Sequence, residues 1–311
     1  MARPRKPKYD DSPGLFDFID EQAAISPIQV KSSIQRLKFI SFGSGSSGNC
    51  AYIGNDKHGI LIDAGVDPDK MIEPELRRNG IDMSSIGGII LTHDHGDHVK
   101  YAYAILRRNR HMRLYCTSRT FNGLLRRHSI SRRIKEYHQP IFKEIPFRLS
   151  GFLITPFEVS HDGTDNVGYH ITADNHTFVV ATDMGSVTER ADHYIRQANY
   201  LMLESNYDRT MLINGRYPEY LKARILGNTG HLDNAVAAKY LAEIYTPKLR
   251  NVFLCHLSND NNTPEKALET VVASLNAANI KTGDLNSLDG SLQIITLPRY
   301  ASSGLIVLRN D

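Results

Sequence analysis

Short apolar runs recur along the chain. Segments 37–42, 51–54, 59–62, 86–91, 151–160, 166–173, 177–182, 200–203, 252–255, 292–297 and 304–308 are rich in Ile, Val, Leu, Phe and Tyr. Gly, Ser, Asn and Asp bound them, so they read as strands. Helical spacing or helix-start residues mark the stretch from Asp67-Pro68-Asp69 to Gly80, and segments 99–107, 218–226, 235–244 and 264–275. Strand groups that alternate with helices predict a layered α/β (α+β) body. Residues 1–34 show no sustained period and open with Arg3-Pro4-Arg5-Lys6-Pro7-Lys8. They read as a mobile basic arm ahead of one domain over 35–311.

Polar residues gather where these runs end. Segment 86–91 closes on Thr92-His93-Asp94-His95-Gly96-Asp97-His98. Imidazole nitrogens and carboxylate oxygens at this density suit divalent metals. His93 and His95 alternate and so face the same side, whereas Asp97 and His98 are adjacent and diverge toward a second ion. His161 follows segment 151–160, and Asp183 follows 177–182 after one out-and-back excursion, so both return to one sheet edge. Asp63, Glu204 and His256 also end apolar runs. The Gly43–Asn49 loop, with Ser44, Ser46, Ser47 and Asn49, offers hydroxyls and unhindered amides to a phosphate, or else is a plain tight connection. His231 precedes a helix that Asp233 or Asn234 would cap, beside Gly230.

Composition narrows the class. With 41% hydrophobic and 23% charged residues in 311, the body folds around a full-sized core. Cys50, Cys116 and Cys255 form no CxxC pair, which argues against a thiolate zinc site or a disulfide framework. No signal-like or membrane-length apolar run is present, so a cytoplasmic location is expected, without membrane association. The net charge of +3 identifies no partner, but its distribution does. Residues 99–135 lack Asp and Glu and carry Lys100, Arg107, Arg108, Arg110, Arg113, Arg119, Arg126, Arg127, Arg132, Arg133 and Lys135. Directly after the histidine loop, such a surface can follow a nucleic-acid backbone, with Arg126, Arg127, Arg132 and Arg133 as candidate contacts. The alternative is a pair of solvated helix faces.

His93-x-His95-x-Asp97-His98 resembles the signature of the metallo-β-lactamase superfamily, a four-layer αββα sandwich with a metal centre at one edge. Ser41-Phe42-Gly43-Ser44-Gly45-Ser46-Ser47-Gly48-Asn49, Leu61-Ile62-Asp63-Ala64-Gly65, Val159-Ser160-His161-Asp162, Thr182-Asp183-Met184-Gly185, Glu204-Ser205-Asn206, Gly230-His231 and His256-Leu257-Ser258 extend the resemblance. Together these are similar to the YycJ/WalJ-like branch, described as DNA exonucleases. The resemblance implies His93, His95, Asp97, His98, His161, Asp183 and His256 as ligands of two divalent metal ions, with Asp183 bridging. Zinc or manganese suits this donor set, and iron is admissible. Asp63 would brace the histidine loop, and Glu204 and Asn206 would orient ligands or water. Asp97 and Asp183 would act in catalysis, and His231 would serve as an additional catalytic histidine.

The implied activity is a 5′-to-3′ DNA exonuclease using a hydroxide held between ions roughly 3.5–4 Å apart. The alternatives are an RNA-processing nuclease or a small-molecule hydrolase of a thioester or lactone; the latter would not need the basic stretch. A diiron redox relative would carry a carboxylate in place of His95. A non-enzymatic regulator would have lost ligands. A periplasmic β-lactamase would start with a signal peptide.

Overall fold

The computed structural model describes residues 36–287 and 289–308; the basic arm expected over 1–34 lies outside them. Among the described residues, strands form two sheets. The first holds Lys38–Gly43 (β1), Cys50–Gly54 (β2), Gly59–Ile62 (β3), Ile86–Ile90 (β4), Arg113–Cys116 (β5) and His138–Pro140 (β6). The second holds Phe147–Leu149 (β7), Phe152–Glu158 (β8), Val167–Ala173 (β9), His176–Ala181 (β10), Tyr200–Glu204 (β11), Asn251–Cys255 (β12), Thr282–Gly283 (β13) and Leu292–Thr296 (β14). The chain then returns to the first sheet, where Ile306–Val307 (β15) pairs with β1.

Side chains on a strand alternate between its faces, and here both faces are apolar, so each sheet must be covered twice. In β1, Phe39 joins a core between the sheets, while Ile40 and Phe42 join a second core on the outer face. In β10, β11 and β12, Phe178, Val180, Tyr200, Met202, Phe253 and Cys255 point into the shared core. Val179, Ala181, Leu201, Leu203, Val252 and Leu254 point the other way. Helices Glu73–Arg78, Ala102–Arg108 and Ser118–Arg127 contribute to the outer core of the first sheet, and Glu189–Ile195, Asn234–Ile244 and Pro264–Ala277 to that of the second. The result is the αββα sandwich expected from the sequence.

One expected helix differs. The stretch 99–107 is split into Gly96–Val99 and Ala102–Arg108. The break has a local cause: Tyr101 N–H donates 2.8 Å to Ala64 O, outside the helix, which ties this turn to the end of β3. Tyr101 adopts φ −107 and ψ 4 instead of helical angles. The three cysteines are free and buried, as read from their spacing.

Candidate metal centre

The ends of β3, β4, β10, β11 and β12 converge on one cluster of polar side chains. Asp63, Asp183 and His256, each within two residues of a strand end, have φ of 60, 51 and 54. Residues other than glycine rarely enter this left-handed region, and Asp and His are among those that tolerate it best. The conformation swings each side chain back over its strand end, at a cost of order 1–3 kcal/mol per residue. Three such residues facing one point mark a built site.

Two sets of donors lie side by side. His93, His95 and His161 bring ligand atoms within 4.8 Å of one another. Three further groups of the same kind are Asp97 with His98 and His256, His93 with His98 and Asp183, and Asp183 with Glu204, His231 and His256. Asp183 stands between the sets: Oδ2 lies 3.4 Å from His98 Nε2, and Oδ1 lies 3.8 Å from His161 Nε2 and 3.2 Å from His256 Nδ1. His93 and His95 fall in one candidate group and Asp97 and His98 in another, while His93 also groups with His98 and Asp183.

A surrounding frame fixes these side chains. Asp63, 3% exposed, accepts from His98 Nδ1 at 2.8 Å and from the Thr92 amide and hydroxyl, holding the loop at both ends. Its expected bracing position is thus occupied. Glu204 is fully buried; Oε1 lies 2.7 Å from His231 Nδ1 and 2.9 Å from His256 Nδ1, while Oε2 accepts from the amides of Met184 and Leu232. Asn206 donates to His256 O at 2.6 Å. Gly65 lets two loops touch, since a Cβ there would lie 1.6 Å from Asp97 O.

The glycine–serine loop is more structural than its sequence suggests. Ser44 is buried and its hydroxyl accepts from the His256 amide at 2.9 Å. Asn49, also buried, reaches Asp97 Oδ2 at 3.1 Å and His98 Nε2 at 2.9 Å. Both therefore make their hydrogen bonds within the centre itself. Ser46 and Ser47 are exposed.

Several residues that no motif marks complete the site. Asp94 is fully buried, accepts from the Thr164 amide and hydroxyl, and lies 3.5 Å from Arg127 Nε. Arg127 thus anchors the histidine loop, while Arg126 lines a neighbouring groove. Asp162 Oδ1 stands 3.3 Å from His95 Nε2, and Arg224 holds Asp162 through two hydrogen bonds. The one available signal was that Asp94 and Asp162 sit beside candidate ligand histidines in sequence.

A model of the β-lactamase superfamily domain matches residues 58–256. The chain belongs to the metallo-β-lactamase superfamily. Within that superfamily it falls in the YycJ/WalJ-like branch. It is 33% identical over 249 residues to exodeoxyribonuclease YycJ of Bacillus anthracis, covering 80% of this chain and 92% of that protein. It is 31% identical over 250 residues to exodeoxyribonuclease WalJ of Streptococcus pneumoniae, covering 79% and 91%. Among solved structures, the metallo-β-lactamase fold protein YhfI of Bacillus subtilis superposes with a TM-score of 0.61 at 14% identity, over 86% of this chain and 98% of that one.

The superfamily implies divalent metal ions, and the donors present fit them. Within the centre two imidazole nitrogens, His93 Nε2 and His256 Nε2, are buried without a hydrogen-bond partner, the second with Asp97 Oδ2 at 3.5 Å. Such atoms are costly unless something absent from the polypeptide satisfies them. Burial, reinforced by the surrounding imidazoles, pushes His93 well below its ordinary range. Burial and His161 drive His95 down to about 4, so this set is neutral and ready to ligate. The other set differs. Burial opposes charge on His98, but Asp183, Asp63 and Asp97 raise it to about 9, and Asp183, Asp97 and Glu204 raise His256 despite its burial.

Without metal, protons on His98 and His256 therefore offset part of the carboxylate charge at neutral pH. An incoming ion must displace them, so apparent affinity should rise with pH up to about 9. Zinc titration of metal-free protein at pH 7, followed calorimetrically in buffers of different ionisation heat, should release about two protons, one from each histidine. Binding without proton release would contradict the assignment.

Proposed function

We propose that the protein is a metal-dependent exodeoxyribonuclease of the cytoplasm that degrades DNA from 5′ to 3′ with two divalent ions, zinc or manganese, and iron admissible. The observation that carries this reading is an arginine-lined groove opening beside the two donor sets. Arg119, Arg126, Arg132 and Lys135 line a cavity of about 490 Å³ together with Thr164. Thr164 is bonded to Asp94, which lies between His93 and His95. A polynucleotide lying in this groove is led to the centre by its phosphates. A thioester or lactone has no use for these cations. The YycJ and WalJ relatives, named as exodeoxyribonucleases, support the same reading.

His93, His95 and His161 would hold one ion, and Asp97, His98 and His256 the other, with Asp183 reaching both. Such ions supply Lewis-acid polarisation and an activated water. The chain's own contribution to proton transfer is the pair Glu204 and His231. With Nδ1 2.7 Å from Glu204 Oε1, the His231 ring is held in one orientation, its other nitrogen is left for a substrate oxygen, and its side chain remains 15% exposed. A histidine so oriented can donate a proton to a departing alkoxide.

The test is parallel incubation of metal-defined protein with 5′-phosphorylated duplex DNA, single-stranded DNA, RNA and a thioester; turnover of the thioester alone would refute the proposal. Charge reversal at Arg126 and Arg132 should weaken polynucleotide binding and lower its salt slope by roughly 0.7 to 0.9 per lost phosphate contact. Cleavage of a small chromogenic phosphodiester should be nearly unchanged. Equal loss on both substrates would mean that these residues support folding. Arg127 is unsuited to this test because it holds Asp94, and Arg133 lies 3.5 Å from Glu136 and lines a different groove.

A further inference from the structure

We infer that a second groove beside the metal centre is a binding site for the terminal phosphomonoester of a polynucleotide strand, an inference that rests on the polynucleotide reading above. Its cavity, of about 220 Å³, is lined by Ser47, Gly48, Gly65, Lys100, Tyr101, Arg299 and Tyr300, among others. Its place relative to the centre follows from the backbone. Gly65 is packed against Asp97 O, and Gly48 precedes Asn49, whose side chain reaches Asp97 and His98. The groove and the centre thus share one wall.

The groove's charge points to an anion. Among the described residues, neither Lys100 nor Arg299 has a carboxylate within ion-pair distance, a state they share with Arg119, Arg126, Arg132 and Lys135 of the first groove. Arg299 donates only to neutral oxygens, Asn259 Oδ1 and Asn262 O, both at 3.0 Å, and its Nε is buried without a partner. Lys100 is exposed and lies 5.2 Å from the centroid of the Tyr101 ring. One acid, Asp67, is in the lining; its Oδ1 accepts from the amides of Asp69 and Lys70, and its charge leaves the two cations in excess by one.

Two cations, neither of them in an ion pair, suit a dianion. A phosphomonoester carries nearly two charges at neutral pH, whereas an internal diester carries one. The segment bearing Arg299 and Tyr300 also lies across the glycine loop, with Ser44 N–H donating to Pro298 O at 3.0 Å and Arg299 Cγ only 3.2 Å from where a Gly45 Cβ would sit. That segment forms a wall of the groove, as a site for a strand end requires. Tyr300, 65% exposed, offers a face on which the terminal base can stack.

The test uses the full chain and a short single-stranded DNA bearing a 5′-phosphate, a 3′-phosphate or hydroxyls at both ends. Binding is measured by fluorescence anisotropy in chelator, and kcat/KM is measured with metal. One phosphorylated end should bind about ten- to a hundredfold more tightly than the hydroxyl end, and the two phosphate arms identify which. In Lys100→Ala and Arg299→Gln that ratio should fall toward one, in binding and in kcat/KM alike. Lys100 is exposed, so its variant keeps the experiment decisive should Arg299→Gln perturb the loop. Equal binding of all three ends by the wild type, or a ratio that survives both substitutions, overturns the inference. If the wild type cleaves all ends alike, the nuclease reading stands and only this site falls; if it cleaves no polynucleotide, both fall.

Discussion

Asp183→Asn is expected to leave the fold intact and to lower phosphodiester hydrolysis by a factor on the order of a thousand or more. Asp183 is 2% exposed and approaches histidines from both donor sets, His161 on one side and His98 on the other. Its negative charge offsets both sets at once, so its removal costs several kcal/mol of charge stabilisation, and each 1.4 kcal/mol is a factor of ten. Asparagine is the informative substitution because residue 183 has φ 51, which Asn tolerates and Ala does not without strain. Asn also keeps an oxygen for the Thr182 hydroxyl, which donates to Asp183 Oδ2 at 2.8 Å. Metal content and turnover should be measured on the same preparation. Full activity with two bound ions would eliminate the bridging role.

The apolar runs predicted most strands of both sheets because these strands are buried on two faces, so hydrophobic residues appear without interruption; the two-sheet arrangement itself came from the family resemblance. β3 was legible to the residue, and the strands that end at Asp63, His161, Asp183 and His256 were legible to within two residues. The histidine loop was legible because ligand chemistry restricts residue type more sharply than packing does. What escaped notice lay where charge hid the pattern. β5 and helix Ser118–Arg127 bury Leu114, Cys116, Phe121 and Leu124, yet they carry arginines on their solvent faces and read as a basic stretch. β6, β7 and β13 are two or three residues long, too short to show a period. The inward turn of Ser44 and Asn49 was not readable either, because a serine that accepts from a distant amide looks like any loop serine. Asp94 belongs to the same class: its partners Thr164 and Arg127 lie 70 and 33 positions away, and only the fold brings them together.

His231→Ala should retain both metals and bind DNA nearly as the wild type does, while the rate of cleavage falls about 100- to 10,000-fold, the range of a lost general acid. His231 packs between two candidate ligands, its ring 5.1 Å from those of both His161 and His256. A role as a ligand is the competing explanation, because His231 Nδ1 also lies 3.9 Å from Asp183 Oδ1. Two measurements separate the explanations. Proton donation matters only when the leaving oxygen is basic, so the defect should shrink on a substrate with an activated phenolate leaving group. A lost ligand would instead reduce metal content and slow both substrates equally. Glu204→Gln supplies the complementary result. Glutamine keeps an acceptor but removes the negative charge that orients both His231 and His256, so it should lower metal affinity and rate together. If His231→Ala loses metal, or if its defect is the same for activated and natural leaving groups, the histidine is a ligand and the proton must come from elsewhere.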